Sequence, residues 1–315
     1  MNTALVPIEG PAIEDADFED VPLARAARGE TLPAVQQADS DTVLIETWVK
    51  RSNSEGTRRK YRAEAARLLA FVGKPIPVML IADLQAYLAS LEDKAPATRA
   101  NATAAMKSLF SFAQEIGYVR FNIGKAVKAP PVKNVLAERI LSEPDTQRMV
   151  LLEPNLRNRA LLTILYGGGL RISEVCGLRW RDMSERDQAA QVTVFGKGGK
   201  TRIVLLSANT WKVLTAMRAE LPAPPKPDAP VFVSLRRGSL DASQVHRIVK
   251  AAADRAGLPA EVSAHWLRHA HASHALDRGA PVHLVQATLG HSSLSTTSKY
   301  THARPSESSS RFLGI

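Results

Sequence analysis

The chain has 315 residues, enough for about two domains, and its 45% apolar, 23% charged and 5% aromatic content excludes a disordered, collagen-like or disulfide-rich protein. No apolar run approaches the roughly 18 residues of a membrane-spanning helix, the residues after Met1 turn acidic where a secretory signal would be basic, and the single cysteine, Cys176, allows neither an internal disulfide nor a cysteine-rich zinc site, so a cytoplasmic protein is expected. Net charge is +10 overall, but residues 1–40 hold eight acids against two arginines, a balance of −6 that leaves +16 on residues 41–315 and favours a polyanionic partner.

Residues 1–40 mix these acids with Pro7, Pro11, Pro22 and Pro33 without periodicity and read as a flexible acidic tail. Asp39, Ser40 and Asp41 offer N-caps for a helix carrying Val43, Leu44, Ile45, Trp48 and Val49. Over 57–72, Tyr61, Ala65, Leu68, Leu69 and Val72 recur at helical spacing, with Arg58, Arg59, Lys60 and Arg62 in the first turns. Cations are unfavourable at a helix N-terminus, so this cluster is either a DNA-backbone contact or a solvated charged face. Helices over 80–91 and 98–116, the latter with Thr98 as N-cap and Met106, Leu109, Phe110 and Phe112 for a core, complete a four-helix domain over 41–121. Residues 122–141 read as a basic linker, stiffened by Pro130 and Pro131 and charged by Lys125, Lys128 and Lys133.

Helical patterns resume over 142–152, 158–166 and 172–180. The period then changes: 191–195 and 201–206 are β-branched runs flanking Gly196-Lys197-Gly198-Gly199-Lys200, a hairpin signature. Helices follow over 211–220, 242–256, 265–278, 282–289 and 296–300. The expected fold class is mainly α with a small β-hairpin or sheet, in two domains.

Four segments of the second domain suit a phosphate. Arg171 follows the glycines 167–169 at a helix start, where backbone N–H groups also face an anion; the alternative is an i, i+3 pair with Glu174 that ties the helix. Lys197, Lys200 and Arg202 stand on or beside the hairpin tip, where a lysine reaches a groove, donates a proton to a leaving oxygen, or is merely solvated. His265 and Arg268 share a helix face, and the neighbouring His269, His271 and His274 lack the carboxylate and HExxH spacing of a zinc helix, so no metal site is expected. His291 precedes Tyr300, whose hydroxyl becomes a nucleophile only with a base or concentrated positive charge beside it; otherwise it is a packed aromatic.

Together the segments GLRISEVCGLRW, HWLRHAHASHAL and LGHSSLSTTSKYTH resemble the tyrosine site-specific recombinases, the family of phage integrases and chromosome-dimer resolvases. The resemblance implies a two-domain clamp on duplex DNA, with a helical core-site domain over 41–121 and a catalytic domain over 142–302. By the same resemblance Arg171 and Arg268 clamp the scissile phosphate and His291 is its third donor. Lys197 is then the general acid, His265 assists proton transfer and Tyr300 is the nucleophile of a 3′-phosphotyrosine. The expected activity is conservative cutting and rejoining of two specific core sites by a homo-tetramer, without metal, ATP or other cofactor. Arg58, Arg59, Lys60, Arg62, Lys200 and Arg202 are expected on the DNA, and residues 303–315 on a neighbouring protomer. The rival readings are a type IB topoisomerase-like relaxation of DNA and a catalytically inactive DNA-binding regulator.

Overall fold

The computed structural model describes residues 38–129, 131, 135–196, 199, 201–291 and 293–303. Residues 1–37 of the acidic tail expected over 1–40, Pro130 and Lys133 of the expected linker, Lys197, Lys200 and the terminal residues 304–315 lie outside the described residues. The chain divides into two compact units, residues 1–130 and 131–315. Among the described residues no helix is long and apolar enough to cross a membrane.

The first unit is built from α1 (Asp41–Lys50), α2 (Glu55–Val72), α3 (Ile81–Ala89), α4 (Pro96–Glu115) and the single turn α5 (Ile123–Ala126). Ser40 and Ser54 cap α1 and α2 by accepting from the amides of Val43 and Thr57. The apolar stripes of these helices bury Leu44, Trp48, Leu68, Leu84, Met106, Leu109 and Phe110 in one core. Trp48 stacks on Tyr61 with ring centroids 4.2 Å apart and donates its indole N–H to Ser108 Oγ at 3.1 Å. The buried Tyr87 hydroxyl donates to Glu64 at 2.6 Å, and Arg67 completes that carboxylate's partners at 2.8 Å.

Two expectations shift here. Thr98 is not the N-cap of α4: Pro96 at the first helical position starts the helix two residues earlier, its fixed φ being already helical. The segment from Asn122 is packed at its near end. Asn122 caps α5 by accepting from the Lys125 amide, Val127 is buried in the core, and Lys107 Nζ donates to the Val127 carbonyl at 2.8 Å. A side chain on Gly124 would place its Cβ 3.0 Å from Phe110 Cβ, so glycine permits this close approach.

The second unit runs α6 (Glu143–Leu151), α7 (Leu156–Gly167), α8 (Ile172–Gly177), β1 (Met183–Arg186), β2 (Ala189–Phe195), β3 (Thr201–Leu206), α9 (Ala208–Ala219), α10 (Ala242–Arg255), α11 (Ala264–Asp277), α12 (Val282–Leu289) and α13 (Leu294–Ala303). The hairpin β2–β3 forms in antiparallel register, with Val192 opposite Val204, and its inward positions Ala190, Val192 and Val194 are buried. It has a third strand that the sequence pattern did not signal. β1 is Met-Ser-Glu-Arg, without apolar alternation, and pairs with β2 through a turn in which Asp187 and Gln188 take φ of 49° and 59°. The helix expected over 172–180 stops at Gly177, and a short 3₁₀ turn, Trp180–Asp182, leads into β1. At the centre of this unit α11 buries Leu267, Arg268, Ala270, Ala272, Ser273 and His274.

Candidate active site

Four elements of the second unit converge on the C-terminal end of α12. Like any helix end it leaves carbonyls without intrahelical partners. Here three consecutive ones are taken by arginines from three elements. Arg202 of β3 donates to Thr288 O at 2.7 Å, Arg268 of α11 to Leu289 O at 2.6 Å, and Arg171 at the start of α8 to Gly290 O at 3.3 Å. Positive charge is also what a helix C-terminus favours electrostatically. Gly290, at φ 63°, then turns the chain into His291, and a Cβ there would lie 3.0 Å from Arg202 Cδ.

Arg268 is only 4% exposed. Its second terminal nitrogen donates to Gly169 O at 2.5 Å, fixing the glycine turn that delivers Arg171. Burial, then the charge of Arg171, pushes the Arg268 guanidinium down to about 10, which still leaves it charged at neutral pH. Gly169 has φ 59°, and a Cβ on it would stand 2.8 Å from Leu289 Cδ2 and 2.9 Å from His271 Cδ2. Gly169→Ala is therefore expected to lower stability by about 1–3 kcal/mol, read from urea unfolding, through backbone strain and the displaced Leu289.

Glu174 is the counter-ion of the cluster. Its carboxylate accepts from the Arg171 amide at 2.7 Å and Arg171 Nη1 at 2.9 Å, and from Arg202 Nη1 and Nη2 at 2.7 and 2.9 Å. Burial alone would raise this carboxyl, but the hydrogen bonds from Arg202 and the Arg171 backbone and the charge of Arg202 outweigh it and hold it below its usual range. Arg171 thus makes the i, i+3 pair with Glu174 while its other nitrogen reaches Gly290. Arg202 turns inward onto Glu174 and Thr288 with a side chain 12% exposed, so its guanidinium braces the site. An arginine fork meets a buried carboxylate and a carbonyl at once, which the sequence pattern alone does not reveal.

Tyr300 of α13 is 5% exposed and enters the same cluster. Its hydroxyl lies 2.7 Å from His269 Nδ1, and its ring lies parallel to that of His291, 6.5 Å between centroids. Burial raises the phenol above its ordinary range, with Arg268 pulling the other way. His291 is oriented by Thr297 Oγ1, 2.9 Å from its Nδ1. Burial first, then Arg268 and Arg171, pushes the His291 ring down to about 4. His265 is exposed at the start of α11, its ring 6.3 Å from that of His269. His269, next to Arg268 and one turn after His265, was not among the expected site residues. The other two histidines are structural: His271 Nδ1 lies 2.7 Å from Tyr166 O, and His274 bridges Tyr166 Oη and Leu141 O, each at 3.0 Å.

In the first unit, Arg62 is held by Glu46 at 2.8 and 2.9 Å, and Arg58 by Ser52 O at 2.7 Å, while Arg59 and Lys60 are exposed. The cluster is thus partly an internal ion-pair face and partly free surface.

Three guanidinium groups, a histidine and a buried tyrosine gather around one helix end, a concentration of positive charge beside a hydroxyl that suits a phosphate group. The phage integrase family profile matches residues 137–307. Tyrosine recombinase XerC of Myxococcus xanthus is 35% identical over 274 residues, 80% of this chain and 88% of the relative. Tyrosine recombinase XerD of Shewanella oneidensis is 33% identical over 277 residues, 83% of this chain and 91% of the relative. The fold is shared with the XerH site-specific recombinase bound to its difH substrate, at TM-score 0.67 and 23% identity over 89% of this chain and 85% of that one. It is shared too with a lambda integrase dimer bound to a core site, at TM-score 0.68 and 18% identity over 85% and 79%. The chain belongs to the phage integrase family and is a tyrosine recombinase, an enzyme of site-specific recombination.

Proposed function

We propose that this chain cuts and rejoins duplex DNA at a specific core site with Tyr300 as nucleophile. The observation that carries the reading is the placement of the Tyr300 hydroxyl, on α13 and against His269 of α11, beside the helix end that Arg171, Arg202 and Arg268 surround. Arg171 and Arg268 take the nonbridging oxygens of the scissile phosphate, and His291 donates a third hydrogen bond. As the Oη–P bond forms, the P–O5′ bond breaks and the leaving oxygen takes a proton, for which Lys197 is the proposed donor. His265 borders the site and assists proton transfer. The resulting 3′-phosphotyrosine conserves the phosphodiester until the 5′ hydroxyl of another strand attacks, so the charge stabilisation comes from built-in cations and no ATP is required.

Arg59 and Lys60, with Arg58 and Arg62 beside them in sequence, and Lys200 from the segment between β2 and β3, are proposed to track the DNA backbone, where phosphate contacts set affinity rather than base preference. A lambda integrase of the same fold, at TM-score 0.68, is a tetramer bound to a Holliday junction. Four protomers on paired sites, in the cytoplasm, with residues 303–315 reaching a neighbour, is the working assembly proposed for this chain.

The test is to incubate the full chain, in EDTA, with labelled duplexes drawn from its own genetic neighbourhood and look for SDS-resistant adducts. Wild type is expected to form them on one short site, and Tyr300→Phe to bind the same duplex with equal affinity and form none. Adducts surviving in Tyr300→Phe would remove Tyr300 as nucleophile.

A further inference from the structure

A tyrosine hydroxyl attacks phosphorus only as it loses its proton, and burial makes that loss harder for Tyr300. A base must therefore stand within hydrogen-bond reach of Oη. Among the described residues His269 makes that contact, Nδ1 to Oη, at 2.7 Å, whereas the exposed His265 stands one turn earlier on α11. We propose that His269 is the general base of strand cleavage, accepting the Tyr300 proton at Nδ1 as the Oη–P bond forms and returning it on rejoining.

This inference rests on Tyr300 as nucleophile and adds a proton acceptor at Oη to the assisting role proposed for His265. In the step the O–H bond breaks and His269 becomes an imidazolium. The Oη–P bond forms, and the P–O5′ pair leaves on O5′, which is protonated by the general acid. Rejoining runs the same transfers backward.

The surroundings suit a base that acts only on bound DNA. Facing His269 are His265 and Arg268 from α11, Arg139 from the turn Ala137–Arg139, His291 from the loop after α12, and Tyr300 from α13. Burial first, then His265, Arg268 and Arg139, pushes His269 down to about 4. The ring is therefore neutral at pH 7, and in the tautomer that carries its proton on Nε2 the Nδ1 atom, 2.7 Å from Oη, accepts from Tyr300. A phosphodiester placed between Arg171 and Arg268 adds a negative charge that offsets these cations and raises the basicity of His269. Bound substrate thus makes proton transfer easier, and the nucleophile stays protonated when substrate is absent.

The test uses the full chain and the duplex on which wild type forms its adduct, in single-turnover cleavage at saturating protein from pH 5 to 9. His269→Ala and His269→Asn are both expected to cleave about 100-fold or more slowly at pH 7 with unchanged duplex affinity. Wild type should lose rate on the acid side as His269 is protonated. Both variants should lack that limb and instead gain rate with rising pH, as solvent hydroxide replaces the base. Asparagine accepts a hydrogen bond but takes no proton, so a His269→Asn chain cleaving at the wild-type rate would overturn the proposal. So would a His269→Ala chain within threefold of wild type. Unchanged duplex affinity certifies the fold of each variant, and the wild-type acid limb decides the matter if the alanine chain does not fold. Cleavage by Tyr300→Phe would overturn the nucleophile assignment itself. An inert Tyr300→Phe beside a fully active His269→Ala would overturn the base alone.

Discussion

Arg268→Ala is expected to lose at least about 1,000-fold in the rate of strand cleavage, because a single preorganised donor to a developing phosphoryl charge already contributes about 10²–10³ and this one also builds the site around it. Its two terminal nitrogens are donors to Gly169 O and Leu289 O, so its removal leaves two carbonyls beneath the surface without partners. Each unsatisfied carbonyl costs about 1–3 kcal/mol, so a fall in stability of a few kcal/mol should accompany the loss of rate. Arg268→Lys separates the two effects: it restores a cation but has no planar fork to reach both carbonyls at once. Single-turnover cleavage together with urea unfolding of the three chains checks this, and an alanine chain cleaving within tenfold of wild type would remove Arg268 from the phosphate.

The second large effect is expected at Glu174. Glu174→Gln removes the one negative charge between Arg171 and Arg202, whose side chains are 31% and 12% exposed. Breaking a buried pair by deleting one partner costs about 3–5 kcal/mol. The pH dependence has a defined sign. The folded-state carboxyl is held below its ordinary value of 4.5, so its stabilisation is complete above that value and is lost as pH falls through the lower folded one. The stability gap between wild type and Glu174→Gln should therefore be full at pH 7 and shrink steadily in acid below 4.5. A gap independent of pH would mean that the glutamate acts through packing rather than charge.

What the sequence made legible was periodicity and chemistry at fixed spacing. Helices such as α10 and α11, and the hairpin around the glycine-lysine tip, announce themselves because a 3.6 or 2.0 residue period survives in the sequence. β1 did not, since Met183 to Arg186 is polar and gains its strand conformation only from pairing with β2. Arg171, Arg268, His291 and Tyr300 could be named together because they sit in distinctive local segments. The partnership of Arg202 with Glu174 spans 28 residues and joins two elements, so it leaves no local mark. Which of two histidines one turn apart meets Tyr300 depends on how α13 lies across α11, which is a property of packing and not of spacing.

The three capped carbonyls at the end of α12 also bear on the order in which the chain acquires its parts. Their donors lie 86, 21 and 119 residues away in sequence, on β3, on α11 and at the head of α8. Contacts this distant close late in folding, because the entropy of loop closure precedes their reward. The turns of α12 need none of these partners, whereas the loop bearing His291 is held by donors from three other elements. The cluster therefore exists only where β3, α11 and the head of α8 are all in place, so a local change in any one of them reaches the loop that bears His291.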